Sequence, residues 1–366
     1  MSVSNAKLLH CRLKPGLHTL CLSICLIIPL LAGCHSPESV STNRLERFEF
    51  QSPHMGTLFT ITLYAAQKSM AQNAAQAAFH RVAVLDEMMS DYQADSELMR
   101  LCEAPPGQPV RVSPELFDIL SQAQKFAAMS DGAFDVTVGP LVRLWRFARK
   151  KKALPTPAQI NEAASSVGYN KLHLEAKART VTLLAPNMRL DLGGIAKGYA
   201  ADQALAILQG RGFARALVAA SGDIAVGDPP PGQRGWRVSI ANMDGHTNET
   251  FRSVLLRNAG ISTSGDTEQF TEIDGVRYSH IVNPRTGVGL TNRIQVTIIG
   301  PNATTTDALA TGVSVLGATR GLRLVDTLPR TAAMIATKRD GEMRAFTSRR
   351  FKSVFTEAVA TSKTSR

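Results

Sequence analysis

Asp307 and Thr311, four residues apart in Asp307-Ala308-Leu309-Ala310-Thr311, lie on one face if that run is helical. A carboxylate and a hydroxyl on one face can address a hard cation. Magnesium prefers oxygen ligands and keeps waters and phosphate oxygens in its shell. The same pair reads equally as an acid favouring a helix N-terminus and a threonine packed in a core. In Asp191-Leu192-Gly193-Gly194-Ile195-Ala196-Lys197-Gly198, two glycines precede a helix and a lysine falls in its first turn. Free N–H groups beside a lysine suit a pyrophosphate. A tight turn with a solvated lysine looks the same. The spacings of a Walker A loop and of the dinucleotide fingerprint are absent.

Two further stretches carry weaker signals. Gly132-Ala133-Phe134-Asp135-Val136-Thr137 combines small residues that admit a ligand with an aromatic face at Phe134 and an acceptor at Asp135. A turn before a strand has the same composition. Thr263-Ser264-Gly265-Asp266 is followed by Tyr278-Ser279-His280-Ile281-Val282-Asn283-Pro284-Arg285-Thr286-Gly287. His280 has the chemistry of a general acid or base, or is a structural histidine. Arg285 holds a phosphate or braces the turn that follows.

The elements that must position these groups mix strands and helices without a regular βαβ rhythm. A strand pair is predicted over 48–64 around Met55-Gly56-Thr57, from the period of two in Phe59, Ile61 and Leu63. Helices are predicted over 71–89, from Ser113-Pro114 to 129, over 155–167 with Thr156 before Pro157, over 197–209 and over 307–316. Residues 92–97 read as a turn and helix start. Strands are predicted at 172–174, 180–184, 190, 216–226 as one buried run, 236–240, 251–256, 277–281, 293–299 and 332–336. The expected fold class is α+β, a single two-lobed domain with mixed sheets and packed helices.

The chain has 366 residues, 44% hydrophobic and 19% charged, which is globular composition. Its net charge of +11 gathers at Arg143, Arg146, Arg149, Lys150, Lys151 and Lys152 and in a C-terminal group of Arg344, Arg349, Arg350, Lys352, Lys363 and Arg366, with residues 351–366 expected as a basic tail. Those charges form a solvated face, or attract anionic lipid or an anionic ligand. No helix-turn-helix, zinc finger or aromatic–basic alternation points to nucleic acid. Residues 1–33 have a basic start and an apolar run over 20–31, too short to span a bilayer comfortably, and read as a signal peptide. That segment ends in Leu31-Ala32-Gly33-Cys34, which resembles a lipobox and implies cleavage before Cys34 with lipid on its thiol. An ordinary signal peptide is the alternative. Residues 34–46 then form a tether, and residues 47–350 the folded domain. Four of the five cysteines lie at or before Cys34, so Cys102 reads as a free, inert thiol rather than part of a disulfide framework.

In this order, Met55-Gly56-Thr57, Ser90-Asp91-Tyr92, Gly132-Ala133-Phe134-Asp135-Val136-Thr137, Leu192-Gly193-Gly194-Ile195-Ala196-Lys197-Gly198, Thr263-Ser264-Gly265-Asp266, His280-Ile281 with Pro284-Arg285-Thr286-Gly287, and Asp307-Ala308-Leu309-Ala310-Thr311 resemble the ApbE family of FAD:protein FMN transferases. The resemblance implies a transferase that splits FAD, attaches FMN to a protein threonine through a phosphoester and releases AMP. It implies an FAD site lined by Met55, Tyr92, Ala133, Phe134, Asp135, Asp191, Lys197 and Ile281. It also implies Mg²⁺ held by Asp307, Thr311 and a backbone oxygen near Gly194, with His280 and Asp307 as the catalytic side chains. Implied partners are threonine-bearing subunits of membrane redox complexes of the Nqr or Rnf type. The implied location is the periplasmic side of the inner membrane, by lipid anchor. An FAD pyrophosphatase giving FMN and AMP, or a non-catalytic FAD-binding lipoprotein, fits the same residues. The chain departs from the family pattern at Arg146 (glycine is usual), Cys102 (asparagine), Asn283 (aspartate) and Ser221 (glycine).

Overall fold

The computed structural model describes residues 44–351 apart from 242, 244–249, 266–269 and 340. The signal peptide, Cys34, nearly all of the tether, Asp266 and the tail beyond 351 lie outside the described residues. The elements run β1 (Glu46–His54), β2 (Thr57–Ala65), α1 (Lys68–Met89), α2 (Glu97–Cys102), β3 (Val110–Arg111), α3 (Pro114–Met129), α4 (Gly139–Lys151), α5 (Pro157–Ala164), β4 (Leu172–Glu175) and β5 (Thr180–Leu183). They continue with α6 (Ala196–Gly210), β6 (Ala216–Ala220), β7 (Asp223–Val226), β8 (Trp236–Ala241), β9 (Thr250–Leu256), β10 (Ala259–Gly265), β11 (Phe270–Ile273), β12 (Val276–Ser279), β13 (Arg293–Gly300), α7 (Ala303–Thr327), β14 (Ala332–Arg339) and β15 (Glu342–Thr347). This is the α+β fold expected, and the ladders between named strands are antiparallel.

One sheet of eight strands, ordered β1-β2-β6-β7-β10-β13-β14-β15, organises the chain. The alternation of Phe59, Ile61 and Leu63 sends those side chains to one face of β2, where all three are fully buried. Helices α1 and α6 meet them with small residues, Ala71, Ala74, Ala75 and Ala78 on one and Ala200, Ala201 and Ala204 on the other. Short side chains let two helix backbones and a sheet approach closely, and each larger apolar side chain buried there contributes roughly 1.5–3 kcal/mol. The opposite face is covered by the β8–β9 ribbon, whose Trp236, Val238, Ile240, Val254 and Leu256 pack on Ile261, Ile299 and Met334.

Several boundaries differ from the sequence reading. The buried run at 216–226 is a hairpin, because Ser221 takes a left-handed φ of 56° and reverses the chain between β6 and β7. Leu190 lies outside any strand. The helix read over 307–316 starts at Ala303 and continues past a break at Gly317, whose φ of 72° and ψ of 177° are not helical. The basic cluster after Arg143 is most of α4, a helix that buries Leu141, Trp145 and Ala148 and exposes Arg143, Phe147 and Lys150. Ser113 caps α3 as its position before Pro114 suggests, accepting the Leu116 N–H at 3.2 Å. Ser113→Ala is expected to lower stability by about 1 kcal/mol, measured as a reduced urea midpoint at unchanged slope. Cys102 is buried and accepts the Leu190 N–H at 3.3 Å, and burial pushes its thiol pKa up, as suits an inert packing residue.

Candidate functional site

Strand register assembles the site at one end of the large sheet. Phe59 of β2 stands opposite Ala220 of β6, and Asp223 of β7 opposite Ser262 of β10. The Met55-Gly56 turn, the Ser221-Gly222 turn and residues 263–265 therefore share one end. Met55 and Gly56 have φ of 49° and 69°, the paired left-handed conformations that a two-residue hairpin turn needs. The Met55 N–H donates to Asp86 Oδ2 at 2.7 Å, and this turn with Asp86 lines a cavity of about 350 Å³.

Helix α6 starts beside that end, and α7 packs across it. The contact is close because residue 198 lacks a side chain. A Cβ there would lie 2.3 Å from the Ala303 carbonyl oxygen and 2.8 Å from Asp307 Cβ. Through this gap the Gly198 N–H donates to Asp307 Oδ2 at 3.0 Å. One turn further along α7, Thr311 meets the loop before α6, and a Cβ at Gly194 would lie 2.9 Å from Thr311 Oγ1. Asp202 of α6 returns the tie by accepting the Ala303 and Thr304 N–H groups at 2.9 and 2.8 Å, capping α7.

The charges here are poorly hydrated. Asp307 is only 2% exposed. Burial, with Asp223 adding repulsion, pushes its carboxyl up to about 7 against the pull of Lys197 and the Gly198 N–H. Lys197 forms an ion pair with Asp223 Oδ2. Burial would lower the ammonium pKa, but Asp223 and Asp307 outweigh it and hold it above the ordinary lysine value. One lysine thus faces two buried carboxylates. That net negative deficit is what a cation with oxygen preference relieves. The Asp307 carboxylate and the Thr311 hydroxyl, one turn apart on α7, are the kind of oxygen donors that magnesium prefers. Among the described residues no group of three or more His, Cys, Asp or Glu side chains could hold a metal ion, so a cation here would depend on hydroxyl, backbone and ligand oxygens besides Asp307.

A second cluster borders the first through the loop before α6. Asp191 Oδ1 accepts the Gly193 N–H at 2.8 Å, and Asp191 Oδ2 accepts from Arg146 Nη2 at 3.0 Å. Arg146 also pairs with Asp91 Oδ2, and its Cζ sits 4.4 Å from the centre of the Tyr92 ring. Burial and Asp91 raise the Asp191 carboxyl pKa, and Arg146 opposes them. The departure at position 146 therefore puts a guanidinium between two site acids.

The remaining predicted residues divide between core and rim. Phe134 packs edge-on against Phe126 at 6.2 Å and touches α7 beside Gly312, so its ring belongs to the core. Ala133 is buried with it. Asp135 accepts the Thr137 N–H and hydroxyl at 2.8 and 2.7 Å, and burial raises its pKa. Its carboxylate shapes the turn before α4. Ile281 is buried, and His280 is half-buried just past β12. Their loop is held by Tyr278 against Trp145 at 5.0 Å, by Trp145 Nε1 donating to the Gly287 carbonyl at 2.7 Å, and by Arg285 pairing with Asp131. Asn283 Oδ1 accepts the Arg285 N–H at 2.9 Å. Arg146 entered the sequence reading only as a departure and as one member of the basic cluster, and Asp202 and Asp223 had no assigned role. Asp223 had one available signal, its position after a small-residue turn. A polar cavity of about 380 Å³ lined by Asp118, Tyr199, Asp202 and Asn302 contains none of the residues predicted from the sequence.

An α+β fold whose helix-start lysine faces two buried carboxylates across a glycine joint defines the class of the protein. The ApbE family matches residues 55–335, and the chain belongs to that family. It is similar to the FAD:protein FMN transferase of Salmonella typhimurium, 33% identical over 313 residues, 84% of this chain and 89% of that protein. The FAD:protein FMN transferase of Vibrio cholerae is 32% identical over 328 residues, covering 88% and 95%. The solved structure of the Vibrio cholerae flavin transferase ApbE superposes with a TM-score of 0.77 at 30% identity, covering 85% of this chain and all of that one.

Proposed function

We propose that this protein is a Mg²⁺-dependent FAD:protein FMN transferase. The observation that carries the reading is the joint at Gly198, where the start of α6 presents Lys197 and binds the buried Asp307 of α7. The relatives' activity supplies the substrate. A threonine hydroxyl of a target protein attacks the FMN phosphorus of FAD. The bond from that phosphorus to the bridging oxygen breaks, AMP leaves with that oxygen, and the hydroxyl proton passes to a base for which His280 is the candidate. Bound Mg²⁺ would supply charge neutralisation at the phosphates. Asp307, Thr311 and the Gly194 carbonyl would hold it. Lys197 orients the pyrophosphate, and Asp223 fixes Lys197. Tyr92, Met55 and the 131–137 turn border the space for the dinucleotide.

The same reading makes Cys34 a lipid attachment site, and places the domain on the periplasmic side of the inner membrane beside redox-complex subunits of the Nqr or Rnf type. Tethering would raise its effective concentration there. The test is incubation of protein lacking residues 1–34 with FAD, Mg²⁺ and a candidate acceptor domain. The expected result is an FMN-sized mass gain on an acceptor threonine together with AMP, both abolished by EDTA. AMP and free FMN without a mass gain on any acceptor would replace transfer by hydrolysis, and FAD bound but unchanged would leave a carrier.

A further inference from the structure

Arg146 joins three pieces of chain in one side-chain cluster. It stands midway along α4, whose neighbours Trp145 and Ala148 are buried, so its stem emerges from a fixed base. Its guanidinium pairs with Asp91, next to Tyr92, and with Asp191, whose other oxygen fixes the turn at Gly193. Its flat face lies 4.4 Å from the Tyr92 ring centre. Tyr92 is nonetheless 78% exposed, an unusual state for a large ring held this closely. A ring backed by a cation on one side and open on the other is a ready stacking surface. The cation also draws electron density from the face that remains open.

We propose that Arg146 is a positioning residue that prebuilds a ring-stacking shelf. It clamps Tyr92 so that the open face receives a planar ring of the bound dinucleotide, and it couples that shelf to the Asp191 turn leading to Gly194 and Lys197. The proposal rests on the flavin reading above. Arginine suits the task and lysine does not, because only the planar fork engages two carboxylates and stacks on an aromatic face at once.

The test is a double-mutant cycle on FAD binding, read by quenching of flavin fluorescence with no acceptor present. Arg146→Met keeps the stem and removes the fork, and Tyr92→Ala removes the shelf. Each single change is expected to weaken FAD binding about tenfold, the size of a partly desolvated cation–ring contact. In the Tyr92→Ala background, Arg146→Met is expected to add less than about threefold, because the clamp has nothing left to hold. Arg146→Lys is expected to recover only part of the loss. Melting temperatures of all the variants guard against unfolding. Additive losses, or full rescue by lysine, would overturn the role of Arg146 and leave the flavin reading intact. An unaltered protein that binds no FAD would overturn both.

Discussion

Asp307→Ala is expected to reduce Mg²⁺-dependent AMP release about a thousandfold, because several kcal/mol of transition-state charge stabilisation goes with the cation. Asp307→Asn is the sharper variant, since the amide keeps the shape and the acceptor for the Gly198 N–H. The titration of Asp307 adds a signature that an indirect effect would lack. Burial pushes its carboxyl up to about 7, against 3.8 for an ordinary aspartate. A raised folded-state pKa means the folded chain keeps a proton that the unfolded chain has released. Stability from this group is therefore full below about pH 4 and is lost as pH rises towards 7. Mg²⁺ competes with that proton, so its stabilising effect is expected to be large at pH 8 and to fade below pH 7. Thermal melts with and without Mg²⁺ across pH 5–8 measure this. Asp307→Asn should remove both the pH-dependent fall and the Mg²⁺ gain, and an equal gain in that variant would place the cation elsewhere.

Gly198→Ala is expected to damage stability and activity together. The added methyl would sit 2.3 Å from the Ala303 carbonyl oxygen and 2.7 Å from its carbon, and backbone cannot swing aside as a flexible side chain does. Alanine's better helix propensity offers about 1 kcal/mol in return. Overpacking of this kind costs typically 1–3 kcal/mol, and two capped helices with little freedom to separate put the site at the upper end. Parting α6 from α7 also moves Asp307 off the Gly198 N–H and Thr311 off Gly194. The expected outcome is a lower urea midpoint and at least a hundredfold loss of AMP release, since a 1 Å misplacement is enough for that. Gly210→Ala, at the end of the same helix with no atom within 4 Å of the new methyl, is expected to be neutral or slightly stabilising.

What could be read from the sequence was local. The alternation in β2, the caps at Ser113 and Thr156 and the spacing of Asp307 and Thr311 are settled by neighbours in the chain, and the structure follows them. The hairpin at Ser221 was hidden because a serine stands in a left-handed turn that usually announces itself with glycine. Helix α4 was hidden because its cations masked the stripe of Leu141, Trp145 and Ala148. Strand β15 shows no apolar alternation, since all six of its residues are exposed at the sheet edge. In the site, the helix-start lysine and the Asp307 carboxylate that faces it were legible, each within a short motif. The partners of Arg146 were not, being 55 and 45 residues away, and neither was the spending of Phe134 and Asp135 on core and turn.

Strands β2 and β6 are neighbours in the sheet, yet everything from α1 to α6 lies between them in the chain. Of that excursion, α1 and α6 return to the sheet, while residues 90–152 carry Tyr92, Arg146 and the 131–137 turn. The groups that would grip the phosphates and their cation sit on α6, the last helix of that excursion, and on α7, against the ladder itself. Under the proposed function, a change within the excursion, such as the arginine at 146, reaches the ring pocket without touching α7, whereas Lys197 and Gly198 near its end tie that same stretch back to Asp307.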